Sequence, residues 1–330
     1  IGDVQRLKRI GSKVVIVYFL MTVIACIVGI VMVNITHPGV GFTLDNMQAF
    51  DTSKVKTPSF VNFLFDMVPV NIVDSMAKNQ IMQMIFFTVL VGVALVSLGE
   101  KVAGVTKIFD QCASIIYKML DIVMLYSPIG VLALMANTTA VFGPKLFGVL
   151  AKFVFTDWVG CLLIWFFFSG IVWLYTKVNY LEMCKSMIPI WVNTIATNSS
   201  AGTIPITLNV TTERLKVPMS IASFSIPLGA TINLTGAALY KTILAFFVAE
   251  IYGLQLTIDQ ILMVIIISTI MSIAAPGIPG GGIVTGAIFL NLLGLPMDLM
   301  GPIAGMYRLI DMSHTTVNLS LIHISEPTRR

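Results

Sequence analysis

Charged residues are scarce in this chain. Asp, Glu, Lys and Arg make up 11% of its 330 residues, whereas apolar residues make up 57%. A water-soluble domain of this size carries far more charge on its surface, so the composition excludes a soluble protein and predicts an integral membrane protein. The net charge of +4 does not indicate a nucleic-acid partner, because basic residues in membrane proteins mainly set the orientation of the helices.

Cysteine is also scarce, and its four copies are scattered along the chain. No two have the short spacing of a zinc motif or of a thiol redox pair. The sequence also lacks the GxSxG turn that presents a catalytic serine. We therefore predict no organic cofactor and no catalytic residues, and hence a protein that is not an enzyme.

Long apolar runs are abundant. Several reach about 20 residues, which is enough to cross a hydrocarbon layer of about 30 Å, and they do not alternate as the strands of a barrel do. We predict an all-α polytopic protein of the cell membrane, in contact with the lipid bilayer. The predicted spans are residues 14–34, 81–98, 105–136 with a kink at Pro128, 146–175, 218–250 with a central interruption, and 296–320, with a shorter piece at 60–76.

Two apolar runs are interrupted by polar sequences rich in glycine and proline. They are NSSAGTIP at residues 198–205 and SIAAPGIPGGG at residues 272–282. Lipid offers no hydrogen-bond partner to a broken helix, so neither break can face lipid. Because the flanking arms are short, we predict two re-entrant hairpins, at 181–212 and 258–293, that enter from opposite sides. Such paired breaks indicate the binding site of a transporter.

Three charged or titratable residues stand out in apolar surroundings. Asp311 lies within the last predicted span, where a carboxylate costs on the order of 2.5–3.5 kcal/mol to insert. It either pairs with Arg308 or His314 on its own helix, or it is the counter-charge of an ammonium group or coupling cation. His314 either carries a proton or makes an ordinary hydrogen bond. Lys241 is predicted to snorkel or to face a cavity.

Hydroxyl and amide side chains accompany the breaks. Ser199 and Ser200 lie where a helix begins, and free N–H groups at such a position favour an anion, although serine is also an ordinary turn residue. Asn233, Thr235 and Asn318 offer oxygen atoms to a monovalent cation at unwound helix segments. The alternative is that these three side chains only hold packed helices together.

Four motifs in this order resemble the dicarboxylate/amino acid:cation symporter family, which includes the glutamate transporters. They are NSSAGTIP, PLGATINLTGA, PGIPGGG and DMSHTTVN, and the likeness extends from about residue 6 to residue 318. The resemblance implies a glutamate-transporter-like elevator fold and a homotrimer. Residues 1–36 would form the family's third transmembrane helix in the transport domain, 37–140 the scaffold helices that trimerise, and 141–320 the rest of the transport domain.

The resemblance also implies a chain truncated at both ends. The family's first two helices would be absent, and residues 321–330 read as a non-native tail that resembles translated adapter or vector sequence. We therefore leave residues 321–330 out of the predicted fold.

Carried over by position, the resemblance implies a substrate site and a cation site. The substrate-binding residues would be Asn198, Ser199, Ser200, Ile278, Gly282, Asp311, His314, Thr315 and Asn318. Ser200 and Asn318 would hold the substrate α-carboxylate, and Asp311 and Thr315 the amino group. The monovalent cation, sodium, would take oxygen atoms from Gly229, Asn233 and Asn318, and a proton is the alternative coupling ion.

Departures from the family pattern bear on substrate and coupling. Members that transport acidic substrates carry an arginine where this chain has His314 and an acid where it has Tyr307. Their absence favours a neutral amino acid, with an acidic amino acid or C4-dicarboxylate, or an ion channel, as alternatives. The family motif NMDGT reads NLTGA here, with Thr235 in place of the aspartate, and Met21 replaces a hydroxyl. We expect one cation site to be lost and coupling to use fewer sodium ions, or protons.

Overall fold

All regular secondary structure is helical in the part of the chain that the structure describes. The computed structural model describes residues 4–42, 65–78, 80–176, 179–273 and 280–322, and no strand occurs in these ranges. The helices are α1 (Val4–Thr36), α2 (Ile72–Ala77), α3 (Ile81–Leu98), α4 (Ala103–Met124), α5 (Ser127–Phe142), α6 (Lys145–Thr176), α7 (Tyr180–Thr197), α8 (Ser200–Asn209), α9 (Met219–Ile232), α10 (Thr235–Ile251), α11 (Ile258–Ile273), α12 (Gly281–Leu292) and α13 (Met300–Ser320). The predicted all-α class is confirmed.

Four helical stretches of the described chain are long and apolar enough to cross a membrane. They are Lys13–Thr36, Met82–Ile116, Lys145–Leu174 and Ile221–Ile251. The protein is therefore a membrane protein. The last predicted span, α13, is not among the four although it has 21 residues, because polar side chains interrupt it and are buried inside the protein.

The chain divides into two compact units. One comprises Ile1–Lys56 and Thr138–Arg330, and the other comprises Thr57–Asn137. The second unit exposes many apolar side chains, among them Val89, Leu90, Val93 and Val96. An apolar surface of this kind needs lipid or protein to cover it. The assignment of residues 37–140 to a scaffold and the rest to a transport domain stays a prediction.

Helix α10 forms the centre of the larger unit. It packs against α1, α6, α11 and α13, and most of its side chains are fully buried. Two glycines allow its neighbours to approach closely: a Cβ at Gly29 of α1 would lie 3.1 Å from Thr242, and one at Gly160 of α6 would lie 3.0 Å from Leu239. Small residues at helix contacts are typical of membrane proteins, where close packing replaces the hydrophobic driving force.

Two pairs of short helices lie where the two hairpins are predicted. Helix α7 packs against α8, and α11 packs against α12. The first break is shorter than predicted, since only Asn198 and Ser199 interrupt the helices and Pro205 lies inside α8. Residues 274–279 of the second break lie outside the described residues. The entry of the two hairpins from opposite sides of the membrane stays a prediction.

Another predicted helix is divided in the structure. Residues 105–136 were predicted as one helix kinked at Pro128, but α4 ends at Met124 and α5 begins at Ser127. Pro128 is the second residue of α5. Its missing N–H has no intrahelical partner to lose in a first turn, so this proline starts a helix instead of bending one. The predicted interruption of residues 218–250 is confirmed, at Asn233 and Leu234 between α9 and α10.

Candidate functional site

Asp311 is the point at which the two hairpins meet. It lies on α13 and is 9% exposed. One carboxylate oxygen accepts from the backbone N–H of Gly280, 3.4 Å away, and the other accepts from the hydroxyl of Tyr307 at 3.3 Å. Asn198 approaches the same helix, because its Nδ2 donates to the carbonyl oxygen of Arg308, one turn before Asp311. Asn198 ends the first arm of one hairpin and Gly280 precedes the second arm of the other, so both breaks converge on one buried acid.

Asn198 leaves an acceptor open in this site. It caps α7 in the left-handed conformation, with φ of 51°, which asparagine tolerates better than most residues. Its Nδ2 donates to the carbonyl oxygen of Arg308 at 2.9 Å. Its Oδ1 is buried and has no hydrogen-bond partner among the described residues. A ligand with N–H groups would satisfy it.

The start of α8 is suited to an anion. Ser199 caps this helix, because its hydroxyl accepts from the backbone N–H of Gly202 at 3.1 Å. Ser200 is the first helical residue and is buried. The amides of Ser200 and Ala201 point away from the helix and have no intrahelical acceptor, so a carboxylate could bind to them.

His314 does not pair with Asp311 but with a carboxylate from another helix. Its Nε2 is 2.8 Å from Oδ1 of Asp157 on α6, and the hydroxyl of Ser313 donates to Oδ2 of Asp157 at 2.8 Å. No ion pair joins Asp311 to Arg308 in the described ranges. The interpretation of Asp311 as half of an intrahelical ion pair is therefore wrong.

The sequence analysis did not identify Asp157 as a candidate site residue. It lies near the middle of the 32-residue apolar helix α6 and is completely buried. The signal was present, because a carboxylate inside an apolar span is costly unless it has a partner or a function. The same reasoning that singled out Asp311 identifies Asp157.

A metal ion does not fit this cluster. The ligand atoms of Asp157, Cys161 and His314 lie within 4.8 Å of one another. However, both oxygens of Asp157 already accept hydrogen bonds, from Ser313 and from His314. We therefore interpret the cluster as a hydrogen-bonded histidine–carboxylate pair.

The interruption between α9 and α10 is bonded to α13. Asn233 donates from Nδ2 to the carbonyl oxygen of Asn318 at 2.9 Å, and Oδ1 of Asn318 accepts from the N–H of Gly236 at 2.7 Å. The hydroxyl of Thr235 donates to Oδ1 of Asn233 at 2.7 Å. Each amide oxygen keeps a second lone pair, so it can still contribute to a cation shell.

Gly229 lies beside an oxygen-rich contact between α1 and α9. A Cβ at Gly229 would lie 2.6 Å from the hydroxyl oxygen of Tyr18. That hydroxyl is 3.5 Å from the carbonyl oxygens of Ser225 and Ile322. Thr22 directs its hydroxyl to the carbonyl of Tyr18 in its own helix, 2.8 Å away. The structure thus gathers oxygen atoms near Gly229.

The remaining predicted residues fall in three settings. Thr315 is buried on α13 next to His314. Gly282 lies in the first turn of α12, where an added Cβ would be 1.8 Å from the hydroxyl of Tyr307, so no side chain fits in this structure. Ile278 lies outside the described residues.

Lys241 does not snorkel. Its side chain is fully buried, and its Nζ donates to the hydroxyl of Ser272 at 3.3 Å and to the carbonyl oxygen of Ala237 at 3.4 Å. Ser272 lies in the last turn of α11, where the helix dipole favours a cation. Snorkelling, which would expose the ammonium group at the membrane surface, is therefore excluded for Lys241.

Comparison with known proteins gives the family. The model of the sodium:dicarboxylate symporter family matches residues 1–323. The chain is 31% identical over 329 residues to the proton/glutamate-aspartate symporter of Escherichia coli (strain K12), covering 97% of this chain and 75% of that protein. It is 30% identical over 323 residues to the protein of the same description from Bacillus subtilis (strain 168), with 96% and 78% covered.

A third relative has a different description. The chain is 29% identical over 327 residues to the C4-dicarboxylate transport protein of Bacillus subtilis (strain 168), covering 96% of this chain and 77% of that protein. With the family match over residues 1–323, these relatives confirm the resemblance carried by the four motifs. The chain therefore belongs to the sodium:dicarboxylate symporter family.

Proposed function

We propose that this protein is a secondary active transporter of the cell membrane that couples the uptake of an acidic amino acid to the entry of sodium ions or protons. The observation that carries the proposal is that both hairpins bond to α13 around Asp311: Gly280 binds its carboxylate, and Asn198 binds the carbonyl oxygen of Arg308 one turn earlier. A ligand held at this carboxylate is enclosed by two helix breaks. Opening either break would release it without unfolding a membrane span.

The acceptor atoms of the site favour a substrate with an amino group. The carboxylate of Asp311 and the unpartnered Oδ1 of Asn198 together offer negative charge and an open lone pair. An ammonium group satisfies both atoms. A C4-dicarboxylate has no ammonium group and would bring a second anion close to a buried carboxylate, which is costly unless the charge is compensated.

The donors of the site favour carboxylates. The first amides of α8 at Ser200 can bind the α-carboxylate. His314 lies on α13 three residues after Asp311 and is buried, and it is the candidate partner of a side-chain carboxylate. The relatives support this assignment, since two of those described above are named for glutamate and aspartate.

A neutral amino acid is the second candidate. The names of the relatives give no support to the predicted neutral substrate. One observation favours it: the carboxylate of Asp157 is bonded to His314 and would cancel the charge of a protonated ring. A site without net positive charge has less affinity for a second carboxylate.

Competition between substrates separates these candidates. Proteoliposomes containing the full-length protein take up labelled aspartate, and a tenfold excess of unlabelled competitor is added. With labelled aspartate at a saturating concentration, aspartate or glutamate is expected to suppress uptake by about 90%, as a tenfold excess of an equal binder does under saturation. Serine, alanine and succinate are expected to suppress it weakly. If serine or alanine suppressed uptake most strongly, the substrate would be a neutral amino acid. If succinate suppressed it most strongly, the substrate would be a C4-dicarboxylate.

The coupling cation is proposed to bind where α9, α10 and α13 meet. Gly229, Asn233 and Asn318 lie at this junction with the hydroxyl of Tyr18 nearby. Carbonyl and amide oxygens suit a hard monovalent cation. Thr235 and the buried Met21 take the places of two family ligands, and we therefore propose that fewer sodium ions bind, or that protons replace them.

The proposed assembly is a homotrimer that works as an elevator. The unit Thr57–Asn137 exposes apolar side chains such as Val93 and Val96, which suits contact with lipid and with other copies of the chain. The unit that contains both hairpins would carry the substrate.

A further inference from the structure

The buried pair formed by Asp157 and His314 has no role in ion coupling as described so far. We propose that this pair is the proton-binding site that couples transport, and that the coupling proton binds at Nδ1 of His314. The inference rests on the proposed function, because coupling requires a transported substrate. It adds the identity of one coupling ion and the residues that hold it.

The hydrogen bonds define which ring nitrogen is available. An ionised carboxylate can only accept, so Nε2 carries the hydrogen that is donated to Oδ1 of Asp157 at 2.8 Å. The other oxygen of Asp157 accepts from Ser313. In the neutral ring Nδ1 is then an unprotonated acceptor. It is buried and has no hydrogen-bond partner among the described residues, an arrangement that costs about 1–3 kcal/mol unless a proton or a ligand occupies it.

The surroundings favour a positive charge on the ring. The titratable groups that face His314 are Asp157 and Cys161 on α6, Tyr240 on α10, and Tyr307 and Asp311 on α13. Helices α8, α9 and α12, which also pack against α13, contain no titratable residue, and those of α7 lie in its first two turns. Lys241 of α10 is directed to Ser272 of α11. Among the described residues, two carboxylates therefore face the ring and no ammonium or guanidinium group does.

Proton binding and substrate binding assist each other at this position. Without the proton, Nδ1 presents a lone pair and repels a carboxylate. With the proton, Nδ1 becomes a donor on an imidazolium ring and can form a charge-assisted hydrogen bond to the second carboxylate of an acidic amino acid. Linkage is reciprocal, so the substrate also raises the affinity for the proton. The proton is taken from water on one side with the substrate and returned to water on the other, and no covalent bond of the substrate changes.

The pH dependence of uptake tests the pair. In the wild-type protein, the apparent KM for aspartate is expected to rise about tenfold per pH unit above the midpoint of the profile, as linkage to one proton requires. In Asp157→Asn the carboxylate that stabilises the imidazolium ring is lost, so the midpoint moves to lower pH and an imposed pH gradient no longer drives accumulation at neutral pH. Asp157→Glu keeps the charge and is expected to restore both properties.

The matched control removes an exposed carboxylate that lies outside the pair. Asp259→Asn changes an exposed carboxylate in the first turn of α11, and the pH profile of this variant is expected to equal that of the wild type. If Asp157→Asn also keeps the wild-type midpoint and its response to a pH gradient, the pair is not the coupling site.

A measurement without substrate separates this inference from the proposed function. Nitrogen NMR of histidine-labelled protein, with the His314 signals assigned by their loss in His314→Gln, reports which ring nitrogen carries hydrogen. We expect hydrogen on Nε2 in the neutral ring and a second hydrogen at Nδ1 once the coupling proton binds. A ring that stays neutral across the pH range over which uptake changes overturns the proton site. Absence of any amino-acid uptake by the wild type instead overturns the proposed function, and the NMR titration still decides whether the pair binds a proton.

Discussion

Replacing Asp311 by asparagine is expected to abolish amino-acid uptake. The substitution keeps the shape of the side chain and one oxygen, which can accept from the N–H of Gly280 while the amide nitrogen donates to the hydroxyl oxygen of Tyr307. It removes the negative charge that binds the ammonium group of the substrate. Losing one partner of a buried charge pair costs about 2–5 kcal/mol or more, so binding should weaken by at least roughly 30-fold. Isothermal titration with aspartate and uptake into proteoliposomes both measure the effect.

An exposed carboxylate serves as the control for this substitution. Asp110 lies on α4 with its side chain exposed, and Asp110→Asn is expected to bind and transport as the wild type does. If Asp311→Asn bound aspartate with wild-type affinity, the ammonium group would have to bind elsewhere, and the role given to the hairpin tips would be wrong.

Gly236→Ala is expected to disrupt the junction of α10 with α13. A Cβ at this position would lie 2.8 Å from Cα and 3.1 Å from the carbonyl oxygen of His314. These are backbone atoms and cannot rotate away, so the two helices must separate. That movement strains the bond from the Gly236 N–H to Oδ1 of Asn318, now 2.7 Å long. We expect a loss of about 1–3 kcal/mol of stability, seen as a lower melting temperature of the purified protein, together with loss of uptake.

A glycine in open surroundings provides the matched control. Gly170 lies in α6, and a Cβ added there would have no neighbour within 4 Å. Because alanine favours a helix by about 1 kcal/mol over glycine, Gly170→Ala should melt at or above the wild-type temperature. Equal melting of Gly236→Ala and Gly170→Ala would show that α10 and α13 are not held together as tightly as the structure indicates.

The features that are costly in a membrane could be identified from the sequence alone. A polar break in an apolar run and a carboxylate inside a span both demand a reason, which is why the region around Asn198 and Asp311 could be singled out. The extent of the breaks could not be predicted. Asn198 and Ser199 cap two helices within two residues, so Pro205 lies inside a helix and not in the predicted break. Pro128 was interpreted as a kink although its position after Ser127 also suits a helix start.

The partner of His314 depends on tertiary packing. Asp157 and His314 are 157 residues apart, and their contact follows from the way α6 lies against α13, which no local pattern encodes. The prediction of a neutral substrate came from the missing arginine at position 314 and the missing acid at position 307. It did not take account of the bond between His314 and the carboxylate of Asp157. His314 held in this way offers a positive charge only when its ring binds a proton.

The central claim is that a cation gradient drives an amino acid through a site closed by two hairpins at Asp311. Its most direct test is uptake of labelled aspartate by proteoliposomes of the full-length protein, with inward gradients of sodium ions and of protons imposed separately. We predict saturable accumulation above the outside concentration under at least one gradient and none with Asp311→Asn. Failure to accumulate under either gradient, or an unsaturable ionic conductance in its place, would contradict the account.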